Sequence, residues 1–459
     1  MPGLVPGIHV FTTWMAGTSP AMTSELRSAG CVTPFVQRAP HPVLSLESRP
    51  GQARKKRLIS MLRPGTFALT ALLAALSATG PLTTDMYLPS LPDIARQLNG
   101  STAQVQFTIS AYLIGFAVGQ IFYGPVSDRH GRKPMLMAAI ALYCVASLAC
   151  ALSTSIEMLI VARAFQALGG CGGIVLTRAI VRDIYWGARA GRELSLIASV
   201  MALAPVLAPI AGGVLQTAFG WRSVFFTLVA AGIAVVAIVW AALPETLNTR
   251  AAEPVSASSM IRSYRIVARN PAYLAYLGIT SASYAGLFAW ISGSAFVLQD
   301  LYGLAPFDFG VAFALGSIGY MTGSALAARM VVSLGVDGVL GVGGCACAAG
   351  GLGMVAAVAL GLTSSLSLVL PIAAYLAGLG MVLPQGIADA LTPFPERAGA
   401  ASSLFGFVQQ SIAAVCGAVV GSLLGRSAWP LAAAVAAMGC ATLLLWLATQ
   451  RVRRAGAKH

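Results

Sequence analysis

Stretches of about twenty mostly apolar residues recur twelve times along most of this chain, separated by short polar connections. A water-soluble core cannot enclose that much apolar surface. The 459 residues are 57% hydrophobic and only 10% charged, with a mean hydropathy of +0.79. Soluble domains carry roughly a quarter charged residues, so the composition selects an all-α polytopic membrane protein. The stretches predict spans over 66–89, 104–123, 134–153, 157–177, 193–217, 223–243, 272–298, 308–331, 336–360, 366–388, 399–423 and 428–449.

The net charge of +14 is distributed unevenly. Along alternate connections, one side collects Arg54, Lys55, Lys56, Arg57 and Arg63, then Arg129, Arg132 and Lys133. The same side holds Arg178, Arg182, Arg189, Arg192, Arg250, Arg262, Arg265 and Arg269, and ends with Arg329, Arg397, Arg451, Arg453, Arg454 and Lys458. The opposite connections hold Arg96, Arg222 and Arg426. Basic residues stay on the cytoplasmic side of a membrane, which predicts both termini in the cytoplasm and a multi-pass protein of the bacterial inner (plasma) membrane. The basicity orients the chain in the lipid bilayer, and no nucleic acid partner is implied.

Residues 1–60 are rich in Pro, Ser and Thr and lack a sustained apolar period. They read as a disordered extension or a mis-assigned start, with Met61 a candidate initiator and no secretory signal. Residues 61–246 form a first six-helix half and 272–450 a second. A polar, basic linker at 247–271 separates them, and 451–459 is a basic cytoplasmic tail. Cys144, Cys150, Cys171, Cys345, Cys347, Cys416 and Cys440 fall inside spans, where cysteine acts as a small apolar side chain. Cys345 and Cys347 stand about 200° apart around a helix, so they cannot share a metal. Neither a metal nor another cofactor is expected.

One connection departs from the apolar pattern. Gly124-Pro125-Val126-Ser127-Asp128-Arg129-His130-Gly131-Arg132-Lys133-Pro134 packs five ionisable residues between spans 2 and 3. Charges at the edge of hydrocarbon are expensive and are retained where they serve a purpose. The pattern resembles the signature loop of the major facilitator superfamily, Gly-x-x-x-Asp-Arg-x-Gly-Arg-Lys. That resemblance implies twelve transmembrane helices in two six-helix halves that rock around a central site. It also implies that Asp128, Arg129 and Arg132 form a conformational charge relay holding the outward-open state. The second half keeps only Arg329, Gly335 and Asp337 of this pattern.

Ionisable residues within spans are the candidates for chemistry. Asp85 is expected a few residues before the outer end of span 1, and Arg163 enters span 4 from the same side. Both fall within roughly 10 Å of the outer helix ends, so a pair across a cavity is geometrically allowed. A carboxyl whose surroundings change with conformation can take up and release a proton. Arg163-Ala164-Phe165-Gln166-Ala167-Leu168-Gly169-Gly170 resembles the family's span 4 motif, Arg-x-x-Gln-Gly-x-Gly, with Ala167 and Leu168 departing from it. The resemblance implies proton coupling at Arg163 alongside Asp85. Ser77 and Thr79 stand where some related exporters carry a second acid. Coupling through Asp85 alone would favour neutral or weakly cationic substrates over dications.

Span 5 contains Ala204-Pro205-Val206-Leu207-Ala208-Pro209-Ile210-Ala211-Gly212-Gly213, similar to the antiporter motif of drug exporters. Pro205, Pro209, Gly212 and Gly213 carry the match, and Ala204 and Ala208 replace glycines. Pro244-Glu245-Thr246 also fits the exporter pattern. The branch is suggested by three segments similar to bicyclomycin-resistance (Bcr/CflA) exporters. These are Thr84–Pro89, Arg178-Ala179-Ile180-Val181-Arg182-Asp183, and Leu287–Gln299, where Trp290 and Ala295 depart from the usual Tyr and Pro. Tyr112, Gln120, Tyr284, Trp290 and Gln409 are candidates for the wall of a substrate cavity, where rings could stack on a flat cation.

The expected function is proton-coupled multidrug efflux of small amphipathic compounds, with small molecules and protons as partners and a monomer as the working unit. The alternative is export of an endogenous metabolite such as an amino acid derivative. An enzyme is not indicated, since His9, His41, His130 and His459 lie in terminal segments or the signature loop and no carboxylate cluster replaces them. A Gly-x-x-x-x-Gly-Lys-[Ser/Thr] phosphate loop is absent, which disfavours an ATP-driven pump. Asp128→Asn is expected to insert normally yet transport poorly in vesicles; transport at the wild-type rate would refute the relay.

Overall fold

The computed structural model describes residues 64–185, 188–247, 257–394, 397–425 and 427–456. The sequence extension at 1–60, linker residues 248–256 and the end of the tail lie outside them. Among the described residues the chain is helical without strands, as hydrocarbon requires of a chain that must satisfy its backbone internally.

Span 1 is Phe67–Asp85, span 2 Thr102–His130, span 3 Arg132–Ala151, span 4 Ile156–Ile184, span 5 Ala188–Phe219 and span 6 Arg222–Ala242. After a short helix at Ala257–Val267 come span 7 at Pro271–Phe296, spans 8 and 9 within Pro306–Ala359, span 10 at Leu366–Leu391, span 11 at Ala398–Leu423 and span 12 at Trp429–Ala448. Helix starts follow local chemistry. Ser101 and Gln104 form a reciprocal capping box at span 2, and Asn270 caps span 7 ahead of Pro271. Pro306–Ala359 runs 54 residues, about 80 Å of helix, too long for one crossing. It is divided at Gly335, whose φ of 66° and ψ of 173° belong to glycine.

Two predicted boundaries were wrong. Span 1 does not stop near residue 89: after a 3-10 turn at Leu88–Ser90 it continues as Leu91–Gln97, with Leu91 and Ile94 buried. The signature segment between spans 2 and 3 is not an open loop. Span 2 stays helical through Pro125 and Asp128 to His130, and only Gly131, with φ 101°, makes the turn. An isolated proline costs one backbone bond and does not end a helix whose other residues are well packed.

In the first half, span 4 packs against spans 1, 2 and 3, span 1 against span 5, and span 3 against span 6. In the second, span 7 packs against spans 10, 11 and 12, while the helix of spans 8 and 9 packs against spans 10 and 12. The halves meet through span 2 against span 11 and span 5 against span 8. Their contact is one-sided. Tyr87, Leu91 and Ile109 of the first half share a single apolar cluster with Phe296, Leu298 and Phe309 of the second. At the other end the halves keep separate clusters, one around Leu69, Leu136 and Ile180, the other around Tyr273, Leu340 and Phe405.

Gly335 has open space where a side chain would go, so its cost is purely one of backbone conformation. Gly335→Ala is expected to lower stability by about 1–3 kcal/mol, read as an earlier thermal transition in detergent. Gly399→Ala, in helix and equally unobstructed, should match or exceed the wild type.

Candidate functional site

Asp85 ends the first segment of span 1, about 18 Å before the helix that continues it finishes at Gln97. The extension puts this carboxyl further from the outer helix end than the sequence suggests. Asp85 is 6% exposed, and no hydrogen bond or ion pair joins it to another side chain among the described residues. It is within electrostatic reach of the Tyr284 hydroxyl on span 7 of the other half. Tyr284 in turn sits beside Gln410 of span 11 and Tyr320 of span 8 and packs its ring 5.0 Å from Phe288. Four spans from two halves converge on this point.

Arg163 lies at the same level but turns elsewhere. Its guanidinium is enclosed between the rings of Tyr87 and Tyr112, 4.5 and 4.3 Å from their centroids. Nη1 donates to Gln166 Oε1 at 2.8 Å and to the Thr83 carbonyl at 3.4 Å, while Nε and Nη2 make no hydrogen bond among the described residues. Gln166 passes the chain on to Ser147 at 2.8 Å. The pair with Asp85 allowed by depth is not formed. Thr83 and Asp85 are two residues apart, about 200° around the helix, so Arg163 meets the face of span 1 opposite the carboxyl.

Span 5 presses on both neighbours. A methyl placed on Gly212 would strike the Met86 carbonyl, next to Asp85, and one on Gly213 would lie 2.6 Å from the Pro306 carbonyl of span 8. Pro205 and Pro209 lie inside a continuous helix, and the Pro209 carbonyl faces Gly310 of span 8. The motif thus joins span 1 to the opposite half.

The proposed cavity residues divide. Tyr284 stands at the convergence point; Gln120 meets Gly406 of span 11, and Gln409 is buried with Nε2 unpartnered. Tyr112 packs on Arg163 and donates to the Gly80 carbonyl at 3.3 Å. Trp290 is not a wall residue: it is fully buried and stacked on Phe313, 6.5 Å between centroids. Its bulk places it in the core of spans 7 and 8.

At the far end of the first half Arg132 is a hub. Its Nη1 reaches Asp128 at 2.6 Å and Ser127 at 2.6 Å, and its Nε donates to Asp183 of span 4 at 2.9 Å. Glu245, past the end of span 6, accepts the backbone N–H groups of Arg132 and Lys133 at 2.9 and 3.2 Å, where the dipole of span 3 favours a carboxylate. Thr246 donates to Asp183 at 3.3 Å. Arg129 points outward, exposed and outside this network. Every named partner of Arg132 lies in the first half.

The Major Facilitator Superfamily profile matches residues 67–415. The chain belongs to that superfamily. This transporter is 34% identical over 362 residues to the uncharacterized MFS-type transporter YdgK of Bacillus subtilis (strain 168), covering 77% of this chain and 88% of that one. It is 29% identical to a bicyclomycin resistance protein homolog of Haemophilus influenzae, with 80% and 92% covered. Multidrug resistance protein D of Escherichia coli (strain K12) is also 29% identical, with 84% and 97% covered. These relatives agree with the bicyclomycin-resistance branch read from the segments above. Among solved structures, a peptide transporter POT superposes with TM-score 0.70 at 16% identity, covering 87% and 99%. A D-xylose-proton symporter superposes with TM-score 0.66 at 14% identity, covering 83% and 96%. Those likenesses establish the fold, and family membership indicates a transporter rather than an enzyme.

Several residues of this facilitator emerge only from its tertiary structure. Asp183 and Glu245 lay inside motifs already noted, yet their joint role needed spans 3, 4 and 6 to meet. Tyr320 and Gln410 carry no sequence signal. Arg178 was counted among the connecting basic residues; it lies within span 4 with an accessible side chain. Glu193 of span 5 is a second buried carboxyl, accepting from Thr70 at 2.7 Å. Substitutions at the hub should rank by enclosure. Arg132→Ala is expected to cost most, Asp128→Asn less because Asp183 and Ser127 remain, and Arg129→Ala least. Transport rates in vesicles, normalised to inserted protein, check that order.

Proposed function

We propose that this chain is a proton-coupled exporter of small amphipathic compounds, working as a monomer by alternating access in the bacterial inner membrane with both termini in the cytoplasm. The observation that carries the reading is Asp85, a buried carboxyl without a cation beside it at the meeting point of spans 1, 7, 8 and 11. Burying an unpaired charge is costly. Such a group is held most readily as the neutral acid when its surroundings are dry and as the carboxylate when they are wet. A cavity that alternates between two sides would therefore load and unload a proton at Asp85 in step with its cargo.

The one-sided contact of the halves supports alternating access. They share an apolar cluster at one end and separate at the end bearing Arg132. With the basic side cytoplasmic, this arrangement is the inward-open state, in which Arg178 meets water. The named relatives that confer bicyclomycin or multidrug resistance support export of drugs. Tyr284, Phe288 and Tyr320 offer apolar surface with hydroxyls, suited to an amphipathic molecule. Arg178 near the accessible end favours a second reading, export of a carboxylate-bearing metabolite such as an amino acid derivative. Arg163, bonded through Nη1 to the Thr83 carbonyl, holds span 1 in register and would sense a change at Asp85 through that span.

Drug-triggered proton release in inverted vesicles tests this. Chloramphenicol-like, bicyclomycin-like, cationic and amino acid compounds are applied to the wild type and to Asp85→Asn. At least one compound is expected to collapse the proton gradient, and Asp85→Asn to reduce that response by about tenfold or more. An undiminished response in the variant would remove Asp85 as the coupling site, and a response confined to amino acid compounds would favour the metabolite reading.

A further inference from the structure

Arg453 lies beyond the last span, in the short helix Gln450–Gly456. A basic residue in a tail is ordinarily solvated, but Arg453 is 2% exposed. Its Nε and Nη2 donate to Asp337 Oδ1 at 3.0 and 2.7 Å, and its Nη1 reaches the Thr449 hydroxyl. The Trp446 ring lies 5.9 Å from the guanidinium, and its indole N–H donates to the Asp337 carbonyl at 3.0 Å. Asp337 opens span 9 two residues after the Gly335 break, where a carboxylate also complements the helix dipole. Asp389 of span 10 and Tyr276 of span 7 adjoin the same cluster.

The two hubs join the same chain ends with different chemistry: Glu245 after the sixth helix binds the backbone at the start of the third, while the Arg132 guanidinium pairs with Asp128 and Asp183. In the first half the guanidinium stands at the start of the third helix, and the carboxylate of Glu245 follows the sixth. In the second half the carboxylate stands at the start of the third helix, span 9, and the guanidinium follows the sixth, span 12. An acid lies near the end of the fourth helix in each half, Asp183 paired with Arg132 in one and Asp389 beside Tyr276 in the other. The sequence hides this equivalence because a search for a second basic signature looks for the wrong sign.

We propose that Asp337 and Arg453 are the positioning pair of the second half, the counterpart of the Arg132 hub, and that the segment following span 12 is consequently a working part of the transporter. The pair binds the ends of spans 9 and 12 so that the second half moves as one body. Removing one member of an enclosed pair leaves the other charged and unpartnered. Neither residue borders the Asp85 site, so the pair acts on turnover and not on substrate recognition. The transport arm of this inference rests on the exporter reading; the pairing itself does not.

The experiment is a double-mutant cycle of Asp337→Asn, Arg453→Gln and the combined variant, with Arg453→Lys as the conservative control. Thermal unfolding in detergent needs no substrate. Each single variant should melt earlier than the wild type, and the combined variant no earlier than the more damaged single one. In inverted vesicles, using the compound that the wild type exports best, each single variant should lose about fivefold or more in Vmax with KM within about twofold. The combined variant should lose no more, and Arg453→Lys should recover much of the rate. Additive losses, a wild-type Vmax in either single variant, or a loss confined to KM would overturn the proposal. Should the wild type export none of the panel, the exporter reading fails while the melting cycle still decides the pair. Should a single variant fail to insert, Arg453→Lys carries the test: normal insertion with partial rate supports the pair, and a null rate at normal insertion opposes it.

Discussion

Hydrocarbon offers a chain no water for its backbone and none for its charges, and most of this structure follows from that one constraint. Every crossing is a helix because a helix satisfies its backbone within itself. Charges are either gathered at helix ends, where partners and water are near, or enclosed against specific groups. Arg132 and Arg453 illustrate the first solution and Arg163, held between Tyr87 and Tyr112, the second. Among the described residues, buried Asp85 follows neither pattern.

Helices that cannot use the hydrophobic effect against one another in lipid rely on close approach. Span 5 shows the consequence. Its glycine pair lets the backbone lie against Met86 of span 1 on one side and Pro306 of span 8 on the other. The residue after the Asp85 carboxyl is therefore in direct contact with a helix that also touches the opposite half. Where span 2 meets span 11, the side chains of Gln106 and Ser292 lie against Gly421 and Gly417 and hold buried polar atoms without a hydrogen bond among the described residues.

The two hubs show how a duplicated architecture can keep a geometry while exchanging its chemistry. An ion pair depends on proximity of opposite charges and not on which helix supplies which sign. Spans 3 and 6 in one half and spans 9 and 12 in the other bring the same two chain ends together. Within that frame a carboxylate on backbone N–H groups makes the link in one half and a carboxylate on a guanidinium makes it in the other.

Sequence by itself determined the class of fold and most of its boundaries, because spans are set by length and hydropathy, which are local properties. It marked Asp128 and Arg132 through their density in a short segment, and Asp85 through the rarity of acids within spans. It placed Asp85 too near the rim because Pro89 and Pro92 resemble an end, whereas buried Leu91 and Ile94 carry the helix onward. Tertiary structure alone decided which faces meet: that Arg163 turns from Asp85 to two tyrosine rings, that Trp290 is core, and that Arg178 reaches water. It alone revealed Arg453 against Asp337, more than a hundred residues apart. Such contacts depend on the rotation of each helix about its own axis, and that rotation is fixed by packing against neighbours rather than by any single segment.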